Sequence, residues 1–127
     1  MDYTLFLDDE RSPWNVTWAH IPQNWPIQVV RNYDEFVAHV HANGLPKLVC
    51  FDHDLADQHY QAMLAETQGR PHSYGPEKTG LDAAKWLVSY CAQAQVKFPP
   101  YVVHSMNPVG GERIRNYIED ARKHLGI

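Results

Sequence analysis

Short apolar runs alternate with polar turns along this chain, and four of them have the length of buried strands. They cover residues 3–7, 26–31, 47–52 and 101–105 and contain the β-branched, aromatic and leucine side chains typical of strands in a core. The first two runs are separated by a segment without helical periodicity, which contains Pro13, Pro22 and three tryptophans. This pattern predicts a loop or a very short helix, with its tryptophans packed over the core.

Three further segments place apolar residues at helical spacing. The first begins after Asn32 and ends at Gly44, the second runs from Thr79 to about Gln95, and the third ends at Gly126. Asn32 and Thr79 are each followed three residues later by an acidic residue, which is the pattern of a capping box. The apolar positions that define the three helices are Phe36, Val37, Val40, Leu81, Ala84, Leu87, Val88, Cys91, Ile114, Tyr117, Ile118, Ala121 and Leu125.

The order of these elements is strand, loop, strand, helix, strand, helix, strand, helix. Such an order predicts a single α/β domain over residues 1–127, with a mainly parallel four-stranded sheet covered on both faces. Residues 55–79 are polar and rich in glycine and proline, and they form a long insertion. Ligand sites of parallel sheets lie beyond the carboxyl ends of the strands, so the residues there are the candidates for function.

Composition narrows the classes of function. A chain of 127 residues that is 44% hydrophobic can bury one core without disulfides, and Cys50 and Cys91 fall at apolar positions of a strand and a helix. A net charge of −4 provides no basic face for duplex DNA. No run approaches the length of a membrane span, and the amino terminus lacks the pattern of a signal peptide. We therefore expect a cytoplasmic protein with reduced cysteines.

Acidic residues follow two of the predicted strands. Asp8 and Asp9 come after the first strand, and Asp52 and Asp54 come after the third. Parallel strands bring these ends to one edge of the sheet, where the carboxylates repel each other unless a cation lies between them. Their hard oxygen ligands suit Mg²⁺, Mn²⁺ or Ca²⁺. The alternative is that the aspartates only cap turns and helices.

Two histidines stand at the same strand ends. His53 lies between two aspartates, and His104 follows the last strand. Imidazole can act as a general acid or base near neutral pH and can stabilise charge that develops on a phosphoryl group. The pair therefore indicates phosphoester chemistry, and the alternative is that the histidines have a structural role.

Several polar residues can contribute to the same site. Arg11 can bind a phosphate with its guanidinium group or pair with a neighbouring aspartate. Ser105 can contact a phosphate oxygen, and Asn107 can do the same or cap a helix that begins at Pro108. The aromatic residues Trp14, Trp18 and Tyr74 can stack on a base of single-stranded RNA, but core packing is the expected fate of most of them.

These motifs resemble a known family. Acidic residues after strands one and three, with Ser105 after strand four, are similar to the cation and phosphoryl site of receiver domains. The fuller set of segments is 5–13 (LFLDDERSP), 51–55 (FDHDL), 79–84 (TGLDAA) and 103–108 (VHSMNP). This set resembles the cyclic-phosphate-processing receiver-like family of phages and bacteria over nearly the whole chain.

The resemblance implies a receiver or flavodoxin-like three-layer sandwich with strand order 2-1-3-4. It also implies metal-dependent hydrolysis of cyclic phosphates, such as 2′,3′-cyclic RNA ends or cyclic nucleotides. Mg²⁺ or Mn²⁺ would be bound by Asp8, Asp9 and Asp52, with Asp54 as a further ligand or as the residue that orients His53. The catalytic residues would be Asp52, His53 and His104, and the substrate would be bound by Arg11, Ser105 and Asn107. The protein would act in the cytoplasm, which is the host cytoplasm if the protein is phage-encoded.

Three departures from ordinary receivers disfavour phosphorelay signalling. No fifth strand with a terminal lysine follows Ser105, the first helix is replaced by the tryptophan-rich segment, and an insertion follows Asp54. The alternative to an enzyme is a module that binds a nucleotide or phosphate without turnover, or a degenerate receiver.

Overall fold

The computed structural model of the protein describes residues 2–53 and 79–127, so Asp54 and the predicted insertion up to residue 78 lie outside the described residues. Within them the chain forms four strands, three α-helices and one short 3₁₀ helix (Pro13–Asn15). The strands and α-helices are, in chain order, β1 (Thr4–Leu7), β2 (Ile27–Val30), α1 (Tyr33–Asn43), β3 (Leu48–Phe51), α2 (Gly80–Ala94), β4 (Tyr101–Val103) and α3 (Pro108–Leu125).

The four strands form one parallel sheet in the order β2-β1-β3-β4. Leu7 at the end of β1 is in register with Val30 of β2 and with Phe51 of β3, and Phe51 is in register with Val103 of β4. All four strands therefore end at one edge of the sheet. The predicted strand order and the receiver or flavodoxin-like α/β fold are confirmed.

Alternation along the strands divides the core into two layers. Leu5, Leu7, Val49 and Phe51 face the larger layer, which also contains the apolar sides of α1, α2 and α3. The opposite face of the sheet carries Phe6, Leu48 and Cys50, and it is covered by apolar residues of the segment between β1 and β2: Val16, Ala19, Ile21 and Trp25.

The handedness of the connections explains this division. Right-handed crossovers that run in opposite directions along a parallel sheet lie on opposite faces. The chain moves one way from β1 to β2 and the other way from β2 to β3 and on to β4, so β1 and β3 flank the point where the direction reverses. Ligands of such sheets bind in the crevice at this point, beyond the carboxyl ends of the two strands.

Two expectations about burial are wrong. In β2 only Val30 is buried, because β2 is an edge strand with one neighbour. Of the tryptophans between β1 and β2, Trp25 packs against the smaller core layer and donates a hydrogen bond to the buried Thr4 hydroxyl. Trp14 and Trp18 remain 71% and 44% exposed, so these two aromatic rings are not core residues.

Both predicted helix starts are confirmed, but only one has a complete capping box. Thr79 and Asp82 bond to each other's backbone amides. Asn32 accepts a hydrogen bond from the Glu35 amide at 2.8 Å, whereas the Glu35 carboxylate accepts from the Arg31 amide at 3.0 Å and not from that of Asn32. Cys50 and Cys91 are free and buried, and burial raises the pKa of their thiols to about 12 and 11. Among the described helices, none combines the length and the apolar character that a bilayer crossing requires.

Candidate functional site

The hydrogen bonding of the sheet continues one residue beyond three of its strands. The Asp8 amide donates to the Val30 carbonyl at 3.2 Å, the Asp52 amide to Leu7 at 3.1 Å, and the His104 amide to Phe51 at 2.9 Å. These bonds fix the backbones of Asp8, Asp52 and His104 at the carboxyl edge of the sheet. The sequence predicted that these strand ends would meet, and the structure brings them together.

Three carboxylates converge at this edge. Asp8, Asp9 and Asp52 each offer an oxygen atom, and the three atoms lie within 4.8 Å of one another. Hard oxygen ligands at this spacing fit a divalent cation such as Mg²⁺ or Mn²⁺. The donor set therefore fits the predicted metal, while its binding stays a prediction. Asp54, the fourth predicted ligand, lies outside the described residues.

Asp8 is fully buried but surrounded by hydrogen-bond donors. The amides of Glu10 and Arg11 donate to Oδ1 at 3.0 and 2.9 Å, and Nε2 of His104 lies 3.1 Å from Oδ2. Burial acts to raise the pKa of this carboxyl group, but the hydrogen bonds from His104 and from the two amides outweigh it. The pKa is lowered to about 2, so Asp8 is ionised at neutral pH.

Asp52 has the opposite electrostatic character. Burial, followed by repulsion from the Asp8 carboxylate, raises its pKa to about 6. His104, a hydrogen bond with Ser105 and the charge of Arg11 offset only part of this shift. A cation between the two carboxylates would remove the repulsion, and this is the physical reason to expect one here.

Arg11 extends over the two buried carboxylates. Its Nη1 atom lies 3.5 Å from Asp8 and 3.9 Å from Asp52, which are loose ion pairs. The guanidinium group also lies 5.4 Å above the Trp18 ring, and Nη2 is 3.6 Å from the sulfur of Met106. The geometry is compatible with both alternatives predicted for Arg11. It pairs with two aspartates, and it also lines a cavity in which an anion could bind.

His104 lies behind Asp8 and away from solvent. Its side chain has no exposed surface, and its ring stacks on Phe6 with centroids 4.5 Å apart and an interplanar angle of 7°. An ionised carboxylate can only accept a hydrogen bond, so the Nε2 atom of His104 carries a proton and donates a hydrogen bond to Asp8. Nδ1 has no hydrogen-bond partner among the described residues. In this position His104 orients Asp8, while its predicted role in proton transfer to substrate stays untested.

His53 lies against the first turn of α3. A β-carbon at Gly110 would come within 2.4 Å of the His53 ring, so glycine is required for the close approach. Gly80 has a similar role at the start of α2, where a β-carbon would overlap the Asp52 carbonyl oxygen, and its amide donates to the His53 carbonyl at 2.9 Å. Two helix starts thus position the Asp52-His53 segment.

Ser105 and Asn107 belong to the turn between β4 and α3. The Asn107 side chain accepts a hydrogen bond from the Gly110 amide at 3.0 Å, so the predicted helix cap is present. The backbone amide of Asn107 donates to the Ser105 hydroxyl at 3.1 Å. The two residues line a cavity of about 340 Å³. Its other lining residues are Asp9, Glu10, Arg11, Asp52 and Met106.

Two residues of the site make contacts that the sequence did not predict. The Trp18 indole donates to the His104 carbonyl at 2.7 Å, so the segment between β1 and β2 is tied to the end of β4. Arg31 donates to the carbonyls of Asp8 and Arg11 at 3.0 and 2.8 Å and holds the turn after β1. Neither contact follows from hydrophobic periodicity, because both depend on a loop conformation. Tyr74, another aromatic candidate for base stacking, lies outside the described residues.

A comparison with protein families yields one finding. The family model described as the cyclic-phosphate processing receiver domain matches residues 3–120 of the chain. The matched range includes every described residue of the site. No curated protein and no solved structure matches the chain.

Proposed function

Because the chain belongs to the family of cyclic-phosphate processing receiver domains, we propose that it is a metal-dependent phosphoesterase that opens cyclic phosphates. The substrates would be cyclic nucleotides or RNA with a 2′,3′-cyclic end, and the cation would be Mg²⁺ or Mn²⁺. In the reaction a water oxygen bonds to phosphorus, one ring P–O bond breaks, and the released ester oxygen receives a proton. The product is a phosphomonoester.

One observation carries this proposal: opposite charges adjoin one open cavity. Asp52 and Asp9 in its wall suit a cation, while Arg11 in the same wall suits a phosphate oxygen. The Arg11 guanidinium group lies 3.5 Å from the Asp8 carboxylate, so in a site for a cation alone its positive charge would compete with the cation for that carboxylate. A phosphate between them resolves this competition because it pairs with both.

Each residue of the site has a distinct task in the proposed reaction. Asp8, Asp9 and Asp52 would hold the cation, which when bound polarises the phosphoryl group and lowers the pKa of a coordinated water. Arg11 and Ser105 would bind non-bridging oxygens, and Asn107 would keep the Ser105 hydroxyl in place. His53 would carry the proton to or from an ester oxygen, whereas buried His104 would act through Asp8.

A second candidate function is a module that binds the cyclic phosphate without turnover. The burial of His104 favours it, because one of the two predicted proton carriers has no exposed surface. Such a module would need the cation, Arg11 and the cavity but no proton transfer. The degenerate receiver is the third possibility, in which Asp52 would accept a phosphoryl group.

Phosphorus NMR of the purified protein separates these functions. Incubation with 2′,3′-cyclic mononucleotides, cyclic dinucleotides and acetyl phosphate, first with Mg²⁺ or Mn²⁺ and then with EDTA, is expected to give metal-dependent ring opening. Saturable binding without product would contradict the enzyme in favour of the module. Covalent phosphate on Asp52 from acetyl phosphate would support the receiver.

A neighbouring residue provides a matched control for His53. Gly110→Ala keeps the imidazole but forces it to move, whereas Val109, on the same turn of α3, is 61% exposed and does not line the cavity. We expect Gly110→Ala to lose ring opening as His53→Ala does, and Val109→Ala to retain it. Equal activity of the two alanine variants would contradict a role for His53 in the position described.

A further inference from the structure

A second cavity adjoins the one that contains the carboxylates. Its volume is about 440 Å³, and it shares Ser105, Met106 and Asn107 with the first cavity. From this common wall it extends along α3. Pockets that bind organic ligands typically measure about 300–1,000 Å³, and a phosphate with its cation would fill only part of the combined space.

We propose that this second cavity is a nucleoside subsite, which takes the base of a nucleoside cyclic phosphate whose phosphate lies beside Arg11. The inference rests on the proposed function and names its substrate class. It distinguishes nucleotides from cyclic phosphates of simple sugars or polyols, which have no base to occupy the second cavity.

The helix presents three hydrogen-bonding side chains to this cavity. Glu112, Arg115 and Asn116 are spaced at i, i+3 and i+4, so they lie on one face of α3. The buried residues Ile114 and Ile118 lie on another face and hold the helix to the sheet. A carboxylate, a guanidinium group and an amide together offer the donors and acceptors that a base edge requires.

Arg115 is held in place before any ligand binds. Its Nη2 atom donates to the Val103 carbonyl at 3.2 Å, at the end of β4. The guanidinium group lies against the first turn of α3, where a β-carbon at Gly111 would be 3.6 Å from Nη1. A planar guanidinium group fixed in this way is a suitable surface for a base to stack on.

Met106 borders both cavities and gives the subsite an apolar edge. Its side chain is 65% exposed, and its sulfur lies 3.6 Å from Nη2 of Arg11. An exposed thioether is an adaptable contact for a flat ring. A ligand that spans the two cavities would thus meet Arg11 at its phosphate, Met106 in the middle and Arg115 at its base.

Calorimetry with the reaction products tests this subsite without any turnover. Adenosine and cytidine 2′- and 3′-monophosphates are titrated in parallel with methyl riboside phosphates, which lack the base. Asn116→Ala and Arg115→Met are the test variants. Arg113→Met is the matched control, because Arg113 is exposed on the same helix but does not line either cavity.

We expect both test variants to weaken nucleotide binding roughly tenfold, the scale of a lost base-stacking contact, and to leave the base-free ligands and the control unchanged. Asn116→Ala is the more informative variant, because Arg115 also contacts the sheet. Equal losses for ligands with and without a base, or unchanged nucleotide binding, would overturn the subsite. Selective loss of nucleotide binding in a protein that never opens a cyclic phosphate would support the subsite and reject the phosphoesterase.

Discussion

Asp8 and Asp52 are two buried aspartates at the ends of neighbouring strands, yet their ionisation is opposite. The pKa of Asp8 is lowered to about 2, and that of Asp52 is raised to about 6. Burial acts on both in the same direction, so the difference comes from their hydrogen bonds and from neighbouring charges. Asp8 accepts hydrogen bonds from its own turn and from His104 that outweigh its burial, whereas burial is the largest cause of the shift at Asp52 and repulsion from Asp8 adds to it.

This contrast shows how one sheet edge can prepare a cation site. Asp8 supplies a negative charge whose burial is offset by hydrogen bonds from its own turn and from His104. Asp52 adds a second carboxylate, and the hydrogen bonds and charges around it offset its burial only in part. A divalent cation would supply the missing compensation. We expect the two residues to be equally needed for cation binding but to contribute to protein stability with opposite sign.

The largest expected effect is on cation binding and ring opening. Asp8→Asn and Asp52→Asn should each lower affinity for Mn²⁺ by at least about a hundredfold, beyond the loss typical of residues that only support a ligand. Calorimetric titration measures the affinity, and phosphorus NMR measures turnover. Asp2→Asn, at an exposed carboxylate away from the site, is the control. Unchanged Mn²⁺ affinity in either site variant would remove that residue from the cation site.

The same two variants should differ in stability without added cation. A lowered folded-state pKa means that the Asp8 carboxylate stabilises the protein above its ordinary pKa of 3.8, and that this contribution is lost as the pH falls through about 2. A raised pKa means that Asp52 contributes stability below 3.8, which is lost as the pH rises through about 6.

At pH 8, Asp8→Asn should therefore lower the free energy of unfolding by less than about 2 kcal/mol, because it also relieves Asp52 of repulsion, and Asp52→Asn should raise it by up to about 3 kcal/mol. Urea denaturation between pH 4 and 8 measures both effects. Between pH 4 and 6 the wild type should lose stability relative to Asp52→Asn. Both proteins contain the same histidines, so this difference reports the titration of Asp52 alone. A change of the same sign in both variants would contradict the comparison.

His104 should matter through Asp8. His104→Leu removes the donor to Asp8 and should lower Mn²⁺ affinity ten- to about a hundredfold, the usual effect of losing a residue that orients a ligand. His104→Gln can still donate an N–H and should recover most of that affinity and most of the ring opening. A glutamine variant that binds Mn²⁺ normally but has no turnover would instead assign His104 to proton transfer.

Trp18 should have the smallest effect. Trp18→Leu removes the ring beneath Arg11 and the hydrogen bond to the His104 carbonyl, which together are worth about 1–2 kcal/mol. We expect a several-fold rise in KM with little change in kcat, because Arg11 binds substrate less well. Trp18→Phe should recover part of the loss, and Trp14→Leu, at a more exposed ring, should have no effect. An equal effect at Trp14 would make Trp18 a general surface contact.

The sequence was sufficient for the sheet and for the convergence of its ends. Strand periodicity and capping boxes identify β1, β3 and α2, and parallel topology then brings Asp8, Asp52 and His104 together. It was not sufficient for the burial of His104, because a polar residue one position beyond a strand can face either way. It was not sufficient for the exposure of Trp14 either, because the segment between β1 and β2 has no periodicity that shows which side faces the core. The pairing of Arg11 with Trp18 depends on a loop without periodicity, and such a contact leaves no pattern to read.

The pKa of the Asp52 carboxyl group, followed by carbon-13 NMR with and without excess Mg²⁺, tests the central claim most directly. Without the cation we expect a midpoint near pH 6, and with it a midpoint below pH 4, because the cation replaces repulsion from Asp8 with attraction. The Asp8→Asn variant should lower the midpoint without any cation. An Asp52 titration that is the same with and without Mg²⁺ would contradict a cation site between the two aspartates.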